Sequence, residues 1–225
     1  MASEVQICNL ALAHLGDSAT IASINPPEGS AQAEHCARFY PIARDTLLEL
    51  HNWSFATKRV TPPLLEATMD QWLYVYQMPS DAINVIAVLP NDAPDDYSAL
   101  SYVPTDSGYQ PVYMAPAALA YMPQRYSIEM LSTGQQVICT NQENALLRYT
   151  YRVTDTTKFS PLFTMSLGWL LASMLAGPVM KGDVGAAEGK RCYQMFQAHL
   201  IKATTSDGVQ RDIKPQQVVP WIAGR

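Results

Sequence analysis

The sequence predicts an α+β protein in which helices from the two ends of the chain form a four-helix, bundle-like domain around a largely antiparallel β insertion. Apolar residues recur at three- and four-residue spacing near both ends of the chain. Between them, from Trp53 to about Arg152, short β-branched and aromatic segments alternate with Pro, Asp and Gly clusters. A final stretch without helical period predicts an extended C-terminal arm.

The N-terminal pair of helices has clear boundaries. Ser3, followed three residues later by Gln6, is typical of a capping box, and Gly16 ends the first apolar pattern. The second pattern runs from about Ser30 to His51. It contains Pro41, which removes a backbone hydrogen-bond donor from the helix. We therefore expect a kink about one turn before Pro41.

The middle of the chain contains six predicted strands, in WSFATKRV, WLYVYQ, DAINVIAVL, RYSIEML, QQVICT and LLRYTYRV. The clearest hairpin is YSIEML-STG-QQVICT, in which Gly134 suits a three-residue turn. The intervening segment from Pro90 to Pro123 predicts a long excursion instead of a packed element, and such excursions are usually functional.

Helical period returns at Ser160, where Pro161 suits the first helical position, and the third helix is predicted to end near Ala176. A fourth helix follows from about Asp183. The predicted domains are therefore a helical domain of residues 1–52 and 157–205, a β domain of residues 53–156, and an extended arm of residues 206–225.

Composition limits the function. Only 16% of the residues are charged, which favours an oligomer whose surface is partly covered by copies of itself. The net charge of −5 and the lack of a basic stripe argue against nucleic-acid wrapping. No signal peptide pattern opens the chain, which predicts synthesis in the cytoplasm. The uncharged segment between Lys158 and Lys181 approaches the length of a membrane span, but its serines and Gly177-Pro178 favour a buried helix over membrane insertion.

No catalytic, cofactor or metal motif is found. GxSxG, GxxxxGK[ST] and a strand-linked GxGxxG are all absent from the sequence. The cysteines are too far apart for a zinc pattern, which predicts reduced, buried thiols. The acidic cluster at Asp92, Asp95 and Asp96 lacks the spacing of a calcium loop and reads as a solvated turn. We therefore expect neither an enzyme nor a cofactor.

The stretch HNWSFATKR separates the second helix from the β region. At strand spacing, Trp53 and Phe55 share one face, and the basic pair Lys58-Arg59 lies beyond them. This pattern favours a structural hinge between the two domains over a ligand site, because two such aromatics can hold a helix to the root of a strand.

Taken together, NLALAHLGD near the start, LLELHNWSFATKR at the end of the second helix, and YRVTDTTKFSPLFTMSLGWLLASMLAG before the last helix resemble the head-to-tail adaptor proteins of tailed bacteriophages. The tail tubular protein A family of short-tailed phages is the most similar form. The resemblance extends over nearly the whole chain, although none of its motifs is a catalytic signature.

The resemblance implies a structural virion protein that is assembled in the host cytoplasm and lies at the head-tail junction. It implies a dodecameric ring between the portal protein and the tail nozzle protein, with tail fibres as further possible neighbours. Genomic DNA would pass through the lumen during ejection without specific binding. Twelve copies of a chain with net charge −5 give about −60, and this charge would keep the duplex from adhering.

Two sets of residues are expected to make the contacts of this ring. The apolar arm suits portal docking, since a disordered tail has little need of large apolar side chains. The Tyr-rich excursion suits a tail-facing surface. The predicted portal-docking residues are Val218, Val219, Pro220, Trp221 and Ile222, and the predicted tail-facing residues are Tyr102, Tyr109, Tyr113 and Tyr121.

Three other functions stay open. Another tail component, such as a nozzle or fibre-attachment protein, differs from an adaptor in ring size and portal binding. A polysaccharide hydrolase would need acidic residues such as Asp95 or Asp96. A small DNA-binding module would bind duplex in a salt-dependent way.

Overall fold

The computed structural model describes residues 2–67, 69, 71–91, 101–105, 108–112 and 124–210, with the backbone alone for 101–105 and 108–112. The fold is α+β, with four helices and small antiparallel sheets, as the sequence predicts. The chain divides into two compact units. The helical unit contains residues 2–57 and 150–210, and the β unit contains residues 58–149. The predicted β domain, residues 53–156, is five residues longer at its start and seven residues longer at its end than this β unit.

Four helices build the helical unit: α1 (Glu4–His14), α2 (Ala31–Glu49), α3 (Pro161–Met180) and α4 (Gly182–Gly208). Ser3 and Gln6 form the predicted capping box at the start of α1. Gly16, with φ of 75°, follows its end. Each of the first three helices begins at a serine cap, since Ser30 and Ser160 also accept the backbone N–H groups of Ala33 and Phe163.

The core of the helical unit forms around α3, which packs against α1, α2 and α4. Its side chains are apolar on nearly all sides, and ten of its twenty residues are buried. Among the described helices, α3 alone has the length and hydropathy of a membrane span. Because 56% of its most apolar window is already buried inside the protein, the other helices take up much of this apolar surface.

The last two helices are longer than predicted. We expected α3 to end near Ala176, yet it continues through Pro178 to Met180. Proline in the last turn removes only one backbone donor, so the packing of α3 on α4 outweighs the loss. At Gly185, a β-carbon would lie 2.8 Å from the carbonyl oxygen of Ala176, which shows how closely the two helices approach.

The β unit contains β1 (Thr57–Val60), β2 (Tyr74–Gln77), β3 (Ala82–Leu89), β4 (Ser101–Thr105), β5 (Gly108–Val112), β6 (Tyr126–Met130), β7 (Gln136–Thr140) and β8 (Leu146–Tyr151). One sheet has the order β1-β8-β3 and another β2-β7-β6, while β4 pairs with β5. The registers of β2 with β7, β6 with β7 and β4 with β5 are antiparallel.

The hairpin of β6 and β7 has the predicted register and turn. Ile128 lies opposite Ile138. Gly134 has φ of 81°, and its N–H donates to the carbonyl of Leu131 at 2.9 Å. A small core on one face of this sheet consists of Val75, Val137 and Cys139, which the segment between Leu65 and Trp72 covers.

Two expectations for the β region were wrong. Trp53 and Phe55 do not lie on a strand, because Ser54–Ala56 form a turn of 3-10 helix and β1 begins only at Thr57. The excursion from Pro90 to Pro123 contains the antiparallel pair β4 and β5. Its prolines argued against strands, but in a two-stranded ladder each strand has a free edge, where a missing N–H costs little.

Candidate functional site

A cluster of four aromatic rings lies in the helical unit, and two of them, Trp53 and Phe55, come just before β1 in the chain. The Trp53 side chain is fully buried, and its indole N–H donates to the Leu47 carbonyl at 2.8 Å. The rings of Trp53 and Phe163 meet edge to face, with centroids 5.0 Å apart. Phe55 makes the same contact with Phe163 at 5.0 Å, and Phe159 lies 5.9 Å from Phe55.

This cluster fixes the end of α2 against the start of α3, since Trp53 follows α2 and Phe163 lies in the first turn of α3. All four rings belong to the helical unit. The predicted partnership between Trp53 and Phe55 therefore exists as packing within that unit. Their role as a hinge for the β unit stays a prediction.

Asp207, near the end of α4, binds Ser54, which lies between Trp53 and Phe55 in the chain. The side chain is only 6% exposed. Its two oxygens accept the Ser54 backbone N–H at 3.1 and 3.0 Å, and one accepts the Ser54 hydroxyl at 2.6 Å. His51 Nε2 lies 3.3 Å from the other oxygen. Gln210 also accepts the Ser54 hydroxyl, at 3.1 Å.

These residues form an anchor and not a catalytic relay. In a serine triad the histidine stands between the serine and the carboxylate, and takes the serine proton. Here the Ser54 hydroxyl donates to Asp207 itself, and His51 contacts the opposite oxygen. A carboxylate that accepts both the backbone N–H and the hydroxyl of Ser54 is well suited to hold this turn in place. Sequence reasoning missed this anchor because 153 residues separate Ser54 from Asp207.

A stack of rings joins α1, α3 and α4. His14 lies flat on Trp169, with centroids 3.6 Å apart and planes within 5°. His199 lies 6.2 Å from Trp169, and the Arg191 guanidinium is 5.6 Å from its ring centre. Burial lowers the pKa of His14, and the charges of Arg191 and His199 lower it further. The stack therefore favours neutral His14.

Arg191 is held in place at the edge of this stack. It pairs with Glu188, one turn earlier on α4, and it donates to the His14 carbonyl at 3.0 Å. The hydrogen bond from Arg191 lowers the pKa of Glu188. The same pairing raises the pKa of the Arg191 guanidinium. The positive charge beside His14 is therefore present throughout the physiological pH range.

In the β unit, Asp81 joins two partners. It accepts a hydrogen bond from Lys58 Nζ at 2.7 Å and another from the Tyr149 hydroxyl at 3.0 Å. Burial works against its ionisation, but these two bonds outweigh burial and lower the pKa of Asp81. Lys58 is 44% exposed, so the pair is a surface contact of modest energy.

The remaining predicted contact residues are distributed unevenly. Tyr102 lies on β4 opposite Pro111, and Tyr109 lies on β5 opposite Pro104. The acidic cluster at 92, 95 and 96 and the other predicted contact residues lie outside the described residues; the latter are Tyr113, Tyr121, Val218, Val219, Pro220, Trp221 and Ile222.

The outer surface of α4 carries exposed apolar residues that the sequence pattern did not identify as contact residues. Tyr193 and Ile201, eight residues apart, are 48% and 67% exposed on one flank of the helix. Val184 and Met195, eleven residues apart, are 64% and 37% exposed on the other flank. Only a narrow stripe between these flanks is buried: Gly185, Cys192, Phe196, Ala203 and Asp207.

The cysteines are reduced and buried, as predicted. Cys8 on α1 and Cys36 on α2 hydrogen-bond to each other, and this bond together with burial raises the pKa of Cys8. Across the described part of the chain, no three His, Cys, Asp or Glu side chains lie close enough to hold a metal ion. Comparison with family models and with curated proteins found no match to this chain.

Proposed function

We propose that the chain is the subunit of a head-to-tail adaptor ring of a tailed bacteriophage, which joins the portal to the tail nozzle and surrounds the DNA exit channel. The resemblance of its helix-ending motifs to this group motivates the proposal. The observation that carries it is the pair of exposed apolar flanks on α4, formed by Tyr193 with Ile201 and by Val184 with Met195.

A ring needs two different lateral surfaces on each subunit, because its contacts are heterologous: one face of a copy meets the other face of the next. The two flanks of α4 provide such a pair. At about 100° per residue, Tyr193 and Ile201 lie about 100–180° from Cys192 in one direction around the helix. Val184 and Met195 lie about 60–80° from it in the other direction. A 27-residue helix with so narrow a buried stripe also leaves a long surface for neighbours to cover.

In this function the protein performs no bond chemistry. The ring presents one surface to the portal and another to the nozzle. The modest contact of each copy is repeated around the ring, and multivalency makes the joint stable. We assign the ring wall to the helical unit, and the nozzle-facing or fibre-facing surface to the β unit with Tyr102 and Tyr109. The predicted extended arm began at residue 206, but α4 continues to Gly208, so we assign portal docking to residues 211–225. The negative charge of the chain suits a conduit through which DNA passes without adhering.

The test is native mass measurement and electron microscopy of the purified full chain, alone and mixed with isolated portal. We expect a closed ring, of about twelve copies, at the tail end of the portal. Ile201→Glu and Val184→Glu should each prevent closure, because a charge is placed in a covered apolar surface. Ser132→Glu adds the same charge in the exposed turn between β6 and β7, and should leave the ring intact.

Each alternative has its own signature in this experiment. A ring that binds nozzle protein but not portal would indicate another tail component. A monomer at all concentrations, alone and with portal, would refute the adaptor proposal. Failure of both flank variants to change the assembly would show that α4 is not the lateral surface.

A further inference from the structure

A cleft of about 540 Å³ opens on the helical unit, away from the exposed flanks of α4. Its walls come from the first turn of α1, the middle of α2, the loop before α2 and the segment after β8. The residues that line it are Glu4, Ile24, Asn25, Ala37, Tyr40, Pro41, Arg44 and Thr154.

The two charged residues of the cleft differ in their partners. Arg44 is 7% exposed, and its Nε and Nη2 atoms both lie 2.8 Å from one carboxylate oxygen of Asp45. The other oxygen of Asp45 meets Arg152 at 2.9 Å. Glu4 makes no ion pair or side-chain hydrogen bond within the described part of the chain. Glu4 is therefore the charged group of the cleft that has no ion-pair partner in this part of the chain.

The second unusual group is Tyr40, which also lines the cleft. It is 1% exposed, and its hydroxyl has no hydrogen-bond partner in the described structure. An unsatisfied buried hydroxyl is costly, and native proteins keep few of them without a reason. Burial raises the pKa of Tyr40, the nearby charge of Glu4 raises it further, and Arg44 partly offsets the rise. The hydroxyl therefore stays neutral, with a free lone pair.

We propose that this cleft binds an organic cation, a guanidinium or alkylammonium group, with Glu4 as its ionic partner and the Tyr40 hydroxyl as a hydrogen-bond acceptor. The chemistry of the lining selects this class. A cation supplies the charge that Glu4 lacks and the N–H donor that Tyr40 lacks, while Ile24, Ala37 and Pro41 can pack on an alkyl stem. An anion would be repelled by Glu4, and the Nε and Nη2 atoms of Arg44 already bind Asp45.

The cation can come from two sources. It can be a free small molecule, or it can be a basic side chain on a polypeptide, such as Arg211, Lys214 or Arg225 in the C-terminal arm of a second copy. Two probes distinguish these sources: L-argininamide and a synthetic peptide of residues 211–225. The site is independent of the adaptor function, so either proposal can fail alone.

The experiment is calorimetric titration of the full chain with each probe, at low salt and at neutral pH. We expect binding of at least one probe. Glu4→Gln should weaken it about tenfold or more, since a charge-assisted contact is lost. The matched control is Glu34→Gln, which changes an exposed glutamate in the first turn of α2, outside the cleft, and should bind as the wild type does.

Tyr40→Phe separates binding from folding. Because its hydroxyl has no partner, its removal should leave the thermal midpoint unchanged or higher, while probe affinity falls severalfold. Binding of argininamide alone would assign a small-molecule site, and tighter binding of the peptide would assign a polypeptide partner. No binding of either probe at millimolar concentration would overturn the proposal. Equal affinity of the wild type and Glu4→Gln, or preferential binding of acetate, would overturn it too.

Discussion

At the scale of single residues, Trp53 is the largest fully buried side chain in the described part of the chain. It is fully buried, it fills the space between the end of α2 and the start of α3, and its one polar atom is satisfied. Both properties belong to a residue that holds elements together, and neither requires a ligand. The aromatic pair in HNWSFATKR thus has a packing role within the helical unit, whatever its part in orienting the β unit.

Trp53→Ala should lower the free energy of unfolding by about 3–5 kcal/mol, through lost packing and the cavity left behind. Trp53→Phe should cost less, because the ring contact with Phe163 is partly kept while the bond to the Leu47 carbonyl is lost. Urea denaturation followed by circular dichroism measures both values. An alanine variant as stable as the wild type would contradict the packing described for this side chain.

His14 makes stability depend on pH. Its pKa is lowered in the folded state from the ordinary value of 6.5, so the unfolded chain binds the proton more tightly. The contribution of His14 is therefore complete above about pH 6.5 and is lost as the pH falls towards and through its folded pKa. His199 and Arg191 face the same stack, and Glu188 neutralises part of the Arg191 charge.

His14→Phe keeps a flat ring on Trp169 and removes the titration. We expect the loss of thermal stability between pH 7.5 and pH 5.5 to be smaller in this variant than in the wild type. The carboxylates with lowered pKa, Asp81, Asp155 and Glu188, titrate below this window and affect both proteins alike. Parallel pH profiles for the two proteins would show that His14 does not titrate differently on folding.

At the scale of elements, two glycines with open surroundings give a matched pair. Apart from adjacent residues and the helix's own backbone, neither Gly134 nor Gly177 has an atom within 4 Å of an added β-carbon. Gly134 has φ of +81° in the turn between β6 and β7, whereas Gly177 lies within α3. The backbone conformation distinguishes the two positions, and Gly177 also directly precedes Pro178.

Gly134→Ala should therefore destabilise by about 1–2 kcal/mol, the cost of a left-handed conformation for a residue with a side chain. Gly177→Ala should be close to neutral, because the gain of up to about 1 kcal/mol from helix propensity and a less flexible unfolded chain is offset by contact of the β-carbon with the Pro178 ring. Thermal unfolding of the two variants gives the comparison. Equal effects at both positions would show that the turn is not in the conformation described.

At the scale of the whole molecule, the proposed division of labour can be tested by truncation. A cut after Ser206 would remove the arm together with Asp207 and Gln210, which hold Ser54. A cut after Gln210 removes only residues 211–225 and leaves the anchor intact. This variant should fold and form rings with wild-type stability, yet bind portal at least tenfold more weakly in a pull-down titration.

Asp207→Asn in the full chain is the control for this truncation. It weakens the anchor, since the charged acceptor of the Ser54 bonds is lost, but it keeps the arm. We expect lower thermal stability with retained portal binding, the reverse of the truncation phenotype. Undiminished portal affinity after removal of residues 211–225 would disprove arm docking while leaving the ring proposal untouched.

The sequence alone determined the fold class, the four helices, the serine caps at Ser3 and Ser160, and the hairpin turn at Gly134. These features follow from local spacing and backbone preference, which neighbouring residues already encode. The sequence-based predictions failed where the local pattern was weak. The proline-rich excursion was not predicted to contain β4 and β5. The strand-like spacing in WSFATKRV predicted a strand where the structure has a 3-10 turn, because tertiary packing overrides weak propensities.

Only the tertiary structure decided which distant residues meet. The anchor of Ser54 by Asp207, the stack of His14 on Trp169, and the cleft that joins Glu4 to Tyr40 each unite segments far apart in the chain. No periodic pattern encodes these meetings, since they depend on how α3 is surrounded by the other three helices. The narrow buried stripe of α4, and with it the exposed flanks assigned here to neighbouring subunits, follows from the same packing.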